Sequence, residues 1–343
     1  MKKHTILSIC VAGAVFLAGM WQLGPLRDAV GTGRETEPLS RTDFLFNTVV
    51  SVTLYDSSDS SILDDVMALC KEYENIFSKT LETSELYRIN HRAENEQTIT
   101  VSEPMAKLLE KGLFYCRLSD GAFDITVEPL TSLWNFTDGE KKVPDPAAID
   151  AAASRVGYEN LSLSGNTLTF LSPDTTIDLG AIAKGYIADQ VKSFLLERGV
   201  KSAIINLGGN VLCVGGKPDG GPFRVSLQKP FAEYSETLET LDIYDLSVVT
   251  SGVYERYFEE DGKLYHHILD PSTGWPYDNG LIAVTVLTEE SVDGDALSTT
   301  LFSMGLEKGK ALAESLDGVY ACFIGGDYEI TYTDGFENYI DRR

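Results

Sequence analysis

Basic residues are scarce in this chain compared with acidic ones. Lysine and arginine total 28 against 52 aspartates and glutamates, which gives a formal net charge of −24 over 343 residues. Such a charge repels nucleic-acid phosphates and offers no polybasic surface to an anionic membrane. The composition therefore argues against nucleic-acid binding and against electrostatic adhesion to membranes, and we expect most of the carboxylates to serve solubility.

Cysteine and histidine are also few, with 5 and 4 residues. There is no Cys-x-x-Cys pair, and no Cys/His spacing indicates a zinc site. Beyond Cys10, the cysteines fall in apolar helix-like or strand-like patterns, so we expect buried free thiols, with a disulfide as the alternative in an exported protein. The chain also lacks a Walker phosphate loop, internal repeats and low-complexity tracts. Its length suffices for a large core, as one elaborate domain or two interleaved lobes.

The N-terminus has the composition of a targeting segment. Lys2 and Lys3 precede an apolar run over residues 6–23 that is short for a transmembrane span. Since no good cleavage site or lipobox is evident, we expect an uncleaved signal anchor at residues 1–23, with a cleaved signal peptide as the alternative. Residues 24–41 are a predicted linker and residues 42–343 a globular domain. This arrangement predicts anchoring in the cell membrane, with the domain on the extracytoplasmic side.

The remaining chain alternates helix and strand signals, which is typical of an α+β fold with several antiparallel pairs. Helices are predicted over residues 61–77, 102–118, 146–157, 182–198 (closed by Gly199) and 291–305 (with Ser291 as N-cap). Strands are predicted over residues 44–55, 161–163, 167–171, 202–207, 211–214, 223–227, 241–250, 281–287 and 319–324. An Asp261-Gly262 turn predicts a hairpin between residues 254–258 and 263–269.

Residues 293–300 place a carboxylate and two hydroxyls within one helical turn. Asp295 and Thr299 are four residues apart and therefore share a helix face, with Ser298 beside them. Oxygen ligands of this kind suit Mg²⁺, which takes few protein ligands and leaves the rest to water and substrate phosphate. The alternative is a capped helix with solvated polar residues.

Two further segments carry polar residues at informative places. Asp178 and Gly180 stand where a strand hands over to a helix, a junction that offers free backbone amides to an anion. An ordinary turn capped by Asp178 is the alternative. His266 and His267 are adjacent, and successive side chains of a strand point to opposite faces, so only one of them can address a given site.

Six pieces of the chain, in order between residues 44 and 332, resemble the ApbE family of FAD:protein FMN transferases. They are Phe77-Ser-Lys-Thr80 with Ser84-Glu-Leu-x-Arg88-x-Asn90, Ser119-Asp-Gly-Ala-Phe-Asp124-Ile-Thr-Val-x-Pro129-Leu with Leu133-Trp134, Asp178-Leu-Gly-Ala181-Ile-Ala-Lys184-Gly, Asn206-Leu-Gly-Gly-Asn210, His267-Ile-Leu-Asp270-Pro-x-Thr273-Gly-x-Pro276, and Asp295-Ala-Leu-Ser298-Thr299.

This resemblance implies a T-fold-like architecture, with mixed, largely antiparallel sheets and packed helices, and it implies roles for individual residues. Mg²⁺ would be held by the Ala181 carbonyl, Asp295 and the Thr299 hydroxyl, with Ser298 where some relatives place a carboxylate. The FAD cleft would be lined by Phe46, Thr80, Ala122, Phe123, Asp124, Asp178, Lys184 and the backbone of Leu269. His267 would be the general base, since a neutral imidazole has a suitable pKa near pH 7.

The implied activity is that of an enzyme that uses FAD as a substrate and Mg²⁺ as a cofactor. It would transfer FMN to a Thr or Ser hydroxyl of an acceptor flavoprotein subunit and release AMP. The acceptor motif, of the Ser-Gly-Ala-Thr kind, is absent from this chain, so the acceptor would be another protein. Two alternatives stay open: hydrolysis of FAD to FMN and AMP by the same site, and a non-enzymatic FAD-binding protein.

Overall fold

Antiparallel sheets dominate the computed structural model, which describes residues 37–137, 141–232 and 236–342. In chain order its strands are β1 (Leu39–Leu45), β2 (Thr48–Leu54), β3 (Thr98–Thr100), β4 (Leu161–Ser164), β5 (Thr167–Phe170), β6 (Ala203–Leu207), β7 (Asn210–Val214), β8 (Phe223–Gln228), β9 (Thr237–Ile243), β10 (Ser247–Gly252), β11 (Tyr257–Glu260), β12 (Lys263–His266), β13 (Leu281–Thr288), β14 (Tyr320–Gly325) and β15 (Ile330–Tyr332). Its helices are α1 (Ser61–Phe77), α2 (Glu85–Asn90), α3 (Glu103–Leu118), α4 (Glu128–Trp134), α5 (Pro146–Ala153), α6 (Ala183–Glu197) and α7 (Ser291–Glu314), with short 3-10 helices at Tyr158–Asn160 and Phe336–Tyr339.

Within the described residues, one sheet of eight strands has the order β1-β2-β6-β7-β10-β13-β14-β15. Each neighbouring pair in it is antiparallel. Smaller antiparallel sheets are formed by β3-β5-β4, by β8 with β9, and by β11 with β12. The predicted α+β fold with largely antiparallel sheets is therefore confirmed.

The main core lies between this sheet and the helices. All of β13 is buried, and α7 packs on β13 and β10 while α6 packs on α7. A second, smaller cluster surrounds Trp134 and includes Phe258 of β11 and Leu269. The predicted free thiols are confirmed for Cys70, Cys116, Cys213 and Cys322, which are all buried and unpaired.

Most helix bounds follow the sequence signals closely, but the helix predicted over residues 146–157 is wrong at its end, because α5 stops at Ala153. α1 covers residues 61–77 as predicted, and Ser102 caps α3 by accepting from the Met105 amide at 3.3 Å. α6 ends at Glu197, and Gly199, just past the C-cap, has a φ of 80°, while the Val200 amide donates to the Leu195 carbonyl at 3.0 Å. Glycine reaches this left-handed conformation without a steric penalty, which is why it ends the helix here.

The first part of α7 is confirmed, but its predicted cap is wrong. The helix runs to Gly305, where φ is 77° and the axis breaks, and a second segment continues to Glu314. The N-cap is Glu290 rather than Ser291, and the carboxylate of Asp189 on α6 accepts from the Ser291 and Val292 amides, each at 2.8 Å. Burial raises the pKa of Asp189 to about 7, although both amides favour its charged form. A neighbouring helix therefore supplies the cap.

Two predicted strands are each two strands in the structure. Residues 44–55 contain most of the hairpin of β1 and β2, which turns at Phe46 and Asn47 with φ values of 55° and 56°. Residues 241–250 are divided near Asp245, with a φ of 49°, between β9 and β10, which belong to different sheets. Left-handed residues other than glycine are uncommon, so neither turn has a strong sequence signal.

The N-terminal predictions lie largely outside the described residues. The predicted signal anchor at residues 1–23 is not described, and of the predicted linker only its end is. The predicted boundary of the linker at residue 41 is wrong, because β1 begins at Leu39 and pairs with β2. A search of the described helices finds none with the length and apolar character needed to cross a membrane.

Candidate functional site

The predicted metal and phosphate segments meet where α6 and α7 cross. Asp295 on α7 is 4% exposed, and its Oδ2 accepts from the Gly185 amide of α6 at 2.9 Å. The Lys184 ammonium lies 3.5 Å from Asp295 Oδ1 and donates to the Gly180 carbonyl at 3.0 Å. Residues 110 positions apart in the chain thus form one charged cluster at the start of α6.

Gly185 permits this close crossing. A β-carbon at this position would lie 2.2 Å from the Ser291 carbonyl oxygen and 2.7 Å from the Val292 α-carbon, so any larger residue would force the helices apart. In a regular helix the Gly185 amide would donate to the Ala181 carbonyl four residues earlier. Because Asp295 engages this amide instead, the Ala181 carbonyl is left available to another partner.

The predicted hydroxyl ligands lie on the next turn of α7. Ser251, at the end of β10, is 2.8 Å from the Ser298 hydroxyl and 3.0 Å from the Thr299 hydroxyl. Ser298 also donates to the Asp295 backbone carbonyl at 3.0 Å. The three hydroxyls therefore form one hydrogen-bonded group beside Asp295, and Ser251 is a member that the sequence did not reveal.

As metal ligands, these groups suit a hard cation that takes few protein ligands. All are oxygens: one carboxylate, hydroxyl groups and the Ala181 carbonyl. In the described part of the chain, no group of three or more His, Cys, Asp or Glu side chains is placed to hold a metal ion. A Mg²⁺ here would therefore complete its coordination with water and substrate phosphate, which is its usual behaviour.

His267 follows directly after β12 and lies near the same cluster. Its amide donates to the Arg256 carbonyl at 3.2 Å, and its buried Nδ1 has no hydrogen-bond partner within the described residues. Burial, followed by the charges of Arg256, His266 and Lys184, lowers the pKa of His267 to about 3. The ordinary pKa assumed from the sequence is therefore wrong, but the ring is neutral at pH 7 and retains a free lone pair.

The adjacent His266 has different surroundings, as the strand geometry predicted. It is 4% exposed, and its Nε2 is 2.9 Å from the Tyr277 carbonyl oxygen while its Nδ1 accepts from the Ile268 amide at 3.3 Å. Both ring nitrogens are thus engaged with backbone groups. His266 therefore holds the loop after β12 in place, whereas His267 has a ring nitrogen without a partner in the described residues.

Glu255 joins the cluster without having been predicted. It lies in the connection between β10 and β11, and its amide donates to the Gly252 carbonyl at 3.3 Å. Desolvation raises the pKa of Glu255 above its ordinary value, against the opposing charges of Lys184 and Arg256. No spacing in the sequence marks this residue, because only the turn after β10 brings it to the site.

Asp178 lies in a second polar group, in the turn that precedes α6. Its Oδ2 is 2.9 Å from the Lys79 ammonium and accepts from the Thr131 hydroxyl at 2.7 Å, while its Oδ1 accepts from the Gly180 amide at 2.8 Å. Burial opposes the charge, but Lys79, Thr131 and the amide outweigh it and lower the pKa of Asp178 to about 2. Asp178 thus organises the turn that precedes α6.

Replacing Lys79 with methionine is expected to lower the free energy of unfolding at pH 7 by about 2 kcal/mol, because it leaves a largely buried carboxylate without its cation. The side chains of Lys79 and Asp178 are 23% and 14% exposed. Since the pKa of Asp178 lies below its usual 3.8, its stabilising effect is present above about pH 4 and is lost as the pH falls toward 2. Urea unfolding at several pH values measures both effects.

The ion pair of Lys71 with Asp43 is the control for that experiment. Its atoms are 3.3 Å apart, but the side chains are 55% and 33% exposed. Lys71→Met is expected to leave the free energy of unfolding almost unchanged, as is usual for solvated pairs. Equal losses in the two variants would contradict the structural role given to Lys79.

The predicted flavin-side segment lies close to this group. The Ile125 carbonyl accepts from the Asp178 amide at 2.8 Å, and the Ala122 carbonyl accepts from the Tyr277 hydroxyl at 3.1 Å. Phe123 is buried. Asp124 is buried too: its Oδ1 accepts from the Thr126 amide and hydroxyl and its Oδ2 from the Tyr158 amide. Its carboxylate therefore shapes the loop, and backbone groups are what this segment offers to a ligand.

The other predicted cleft residues are placed as follows. The Phe46 amide, at the β1–β2 turn, donates to Glu74 at 2.7 Å. Thr80 is exposed and adjoins Lys79 in the loop after α1. Leu269 is buried in the cluster around Trp134 and forms an isolated bridge with Pro276. The assignment of these residues to an FAD cleft remains a prediction.

Comparison with known proteins shows the family to which the chain belongs. The sequence model described as "ApbE family" matches residues 46–324. A FAD:protein FMN transferase of Klebsiella pneumoniae (strain 342) is 39% identical over 288 residues, which are 83% of this chain and 89% of that protein. The structure of the flavin transferase ApbE from Vibrio cholerae superposes with a TM-score of 0.80 at 29% identity, over 88% of this chain and 99% of that one. The ApbE protein of Thermotoga maritima superposes with a TM-score of 0.81 at 29% identity, over 89% and 100%.

Proposed function

The chain belongs to the ApbE family and is a flavin transferase, and from that premise we propose that it moves FMN from FAD to a Thr or Ser hydroxyl of an acceptor protein, with Mg²⁺ and with release of AMP. The observation that carries this proposal is the position of Lys184. Its ammonium is 3.5 Å from the Asp295 carboxylate, and its charge contributes to the lowered pKa of His267. A cationic group, an oxygen-ligand group and a neutral base therefore lie close together.

FAD joins FMN and AMP through a pyrophosphate, so the reaction is a phosphoryl transfer. Such a transfer needs positioned reactants and neutralised charge more than covalent help from the protein. Lys184 can neutralise a phosphate oxygen, while Asp295, Thr299 and the Ala181 carbonyl would hold Mg²⁺. When bound, Mg²⁺ supplies Lewis-acid stabilisation of the charge on the phosphate oxygens.

His267 acts on the acceptor. The neutral His267 ring takes the proton of the Thr or Ser hydroxyl as the hydroxyl oxygen bonds to the FMN phosphorus. The bond between that phosphorus and the bridging oxygen breaks, and the oxygen leaves with AMP. Burial lowers the pKa of His267 in the free enzyme, and the charges of Arg256, His266 and Lys184 lower it further; a bound pyrophosphate would offset the contributions of Arg256 and Lys184 and so raise this pKa.

The test is mass spectrometry of a peptide containing Asp-x-x-Thr-Ser-Gly-Ala-Thr after incubation with the full chain, FAD and MgCl₂. We expect FMN on the threonine, AMP in solution, and loss of both products when EDTA is added. Free FMN and AMP with an unlabelled peptide would indicate a pyrophosphatase, in which water takes the place of the acceptor. Bound, intact FAD with no products would contradict the proposed reaction.

We further propose that residues 1–23 anchor the enzyme in the cell membrane and that catalysis takes place on the extracytoplasmic side. The support is Lys2 and Lys3 before the apolar run of residues 6–23. Cell fractionation of the full chain tests this proposal, and recovery in the cytoplasm would contradict it.

A further inference from the structure

Three hydroxyl groups form a hydrogen-bonded row beside Asp295, which we name the hydroxyl series: Ser298, Ser251 and Thr299. The Ser251 hydroxyl lies between the other two, 2.8 Å from the Ser298 hydroxyl and 3.0 Å from the Thr299 hydroxyl. Ser298 is fully buried, whereas Ser251 and Thr299 are partly exposed. The hydroxyl series therefore has a buried end at Ser298 and a partly exposed end at Thr299, the proposed Mg²⁺ ligand.

The direction of each hydrogen bond in the hydroxyl series follows from its buried end. A hydroxyl group has one proton to donate and two lone pairs that accept. Ser298 donates its proton to the Asp295 backbone carbonyl at 3.0 Å, because a carbonyl oxygen can only accept. Ser298 must therefore accept from Ser251, and Ser251, whose proton is then used, must accept from Thr299. The proton of Thr299 is thus turned toward Ser251, which leaves a lone pair of Thr299 available to a cation.

The backbone of Ser251 is held rigidly. It belongs to β10, an inner strand of the eight-stranded sheet, and pairs with Val284 of the fully buried β13. The neighbouring residue Thr250 points to the opposite face of the strand, where its hydroxyl is 2.8 Å from the Thr285 hydroxyl. The sheet therefore presents the Ser251 hydroxyl to α7 at a fixed place, and the same strand offers a comparable hydroxyl pair that does not face α7.

We propose that Ser251 is a positioning residue of the metal site: it accepts the hydrogen bond of Thr299 so that a lone pair, rather than the proton, is available to Mg²⁺, and Ser298 is the buried anchor of the hydroxyl series. This inference rests on the proposed function, in which Asp295 and Thr299 hold Mg²⁺. A hydroxyl binds a cation only through a lone pair, so a proton that rotates freely lowers the affinity of the site. Groups that orient a metal ligand through a hydrogen bond typically change metal affinity by 10–100-fold.

Ser251→Ala tests the proposal by calorimetric titration of MgCl₂ into the full chain. We expect the Kd for Mg²⁺ to rise about tenfold, the lower end of the range for groups that orient a metal ligand. Ser251→Thr keeps the hydroxyl and should restore a Kd close to that of the unsubstituted chain. Thr250→Val is the matched control, because it removes the hydroxyl pair with Thr285 from the opposite face of the same strand. It should leave the Kd for Mg²⁺ unchanged.

A double-mutant cycle distinguishes an anchor from a separate metal ligand. Ser298→Ala breaks the same hydroxyl series, so we expect it to raise the Kd for Mg²⁺ by the same factor as Ser251→Ala. The double variant should then bind Mg²⁺ no more weakly than either single variant. Two independent contributions would instead multiply to about a hundredfold loss of affinity. Effects that multiply would overturn the assignment of both residues to one series.

The other outcomes also decide the question. An unchanged Kd for Mg²⁺ in Ser251→Ala would overturn the proposal, and so would equal losses in Ser251→Ala and Ser251→Thr. An unsubstituted chain that binds no Mg²⁺ would overturn it as well. The expected pattern of Kd values, without any flavin transfer by the unsubstituted chain, would support the positioning role of Ser251 and overturn only the proposed function.

Discussion

Asp295→Ala is expected to lower the rate of flavin transfer by about a thousandfold. Asp295 is the carboxylate among the proposed Mg²⁺ ligands, and loss of a catalytic metal removes several kcal/mol of transition-state stabilisation, here about 4 kcal/mol. Its removal also leaves the Gly185 amide without the acceptor that it has at 2.9 Å. Transfer kinetics with MgCl₂, together with calorimetric titration of Mg²⁺ into each variant, measure both consequences.

Asp295→Asn distinguishes an effect on Mg²⁺ binding from an effect on the stability of the fold. The amide oxygen still accepts from Gly185, so we expect near-normal stability together with weakened Mg²⁺ binding and slow transfer. Asp293→Ala is the matched control on the same helix, because the Asp293 carboxylate binds the Tyr115 hydroxyl at 2.6 Å and the Lys111 ammonium at 2.7 Å. It should lose stability and keep its activity. Full activity in Asp295→Ala would remove the metal assignment.

His267→Ala is the second variant with a large expected effect, a fall in transfer rate of about 10³-fold with little change in FAD affinity. General bases contribute typically 10²–10⁴-fold. FAD affinity is expected to survive because the proposed role of His267 concerns the acceptor hydroxyl. Stopped-flow or discontinuous transfer assays give the rate, and flavin fluorescence gives the affinity.

The pH dependence of the transfer rate gives a second test of the role of His267. Since the pKa of His267 in the free enzyme is lowered to about 3, its base form is already present above about pH 4. The plot of kcat/KM against pH should therefore show no change from the titration of His267 between pH 5 and 8. The plot of kcat against pH should show such a change, because bound pyrophosphate raises this pKa. His266→Ala is the control, and it should reduce stability more than rate because His266 bonds to the Tyr277 carbonyl. Equal rates for His267→Ala and the unsubstituted chain would move the base role elsewhere.

The sequence correctly predicted those helices whose ends are fixed by residues at or next to the ends themselves. α1 matched its amphipathic run, and α6 ended just before Gly199 because the left-handed cap suits glycine. The hairpin turn at Phe46 and Asn47 went unpredicted, because neither residue is a glycine and the alternating pattern continues through both. The cap of α7 was missed for a different reason, since Asp189 lies about a hundred residues earlier in the chain.

The sequence by itself determined the family, the α+β class and most of the candidate site residues, because motif order and hydrophobic period are properties of the chain alone. Only the tertiary structure decided how those residues are grouped. It paired Asp295 with Gly185 and Lys184, paired Asp178 with Lys79, brought Ser251 and Glu255 to the Asp295 cluster, and gave His267 rather than His266 a ring nitrogen without a partner in the described residues. These groupings depend on helix crossing, strand pairing and desolvation, which arise between segments far apart in the chain and therefore leave no local pattern in it.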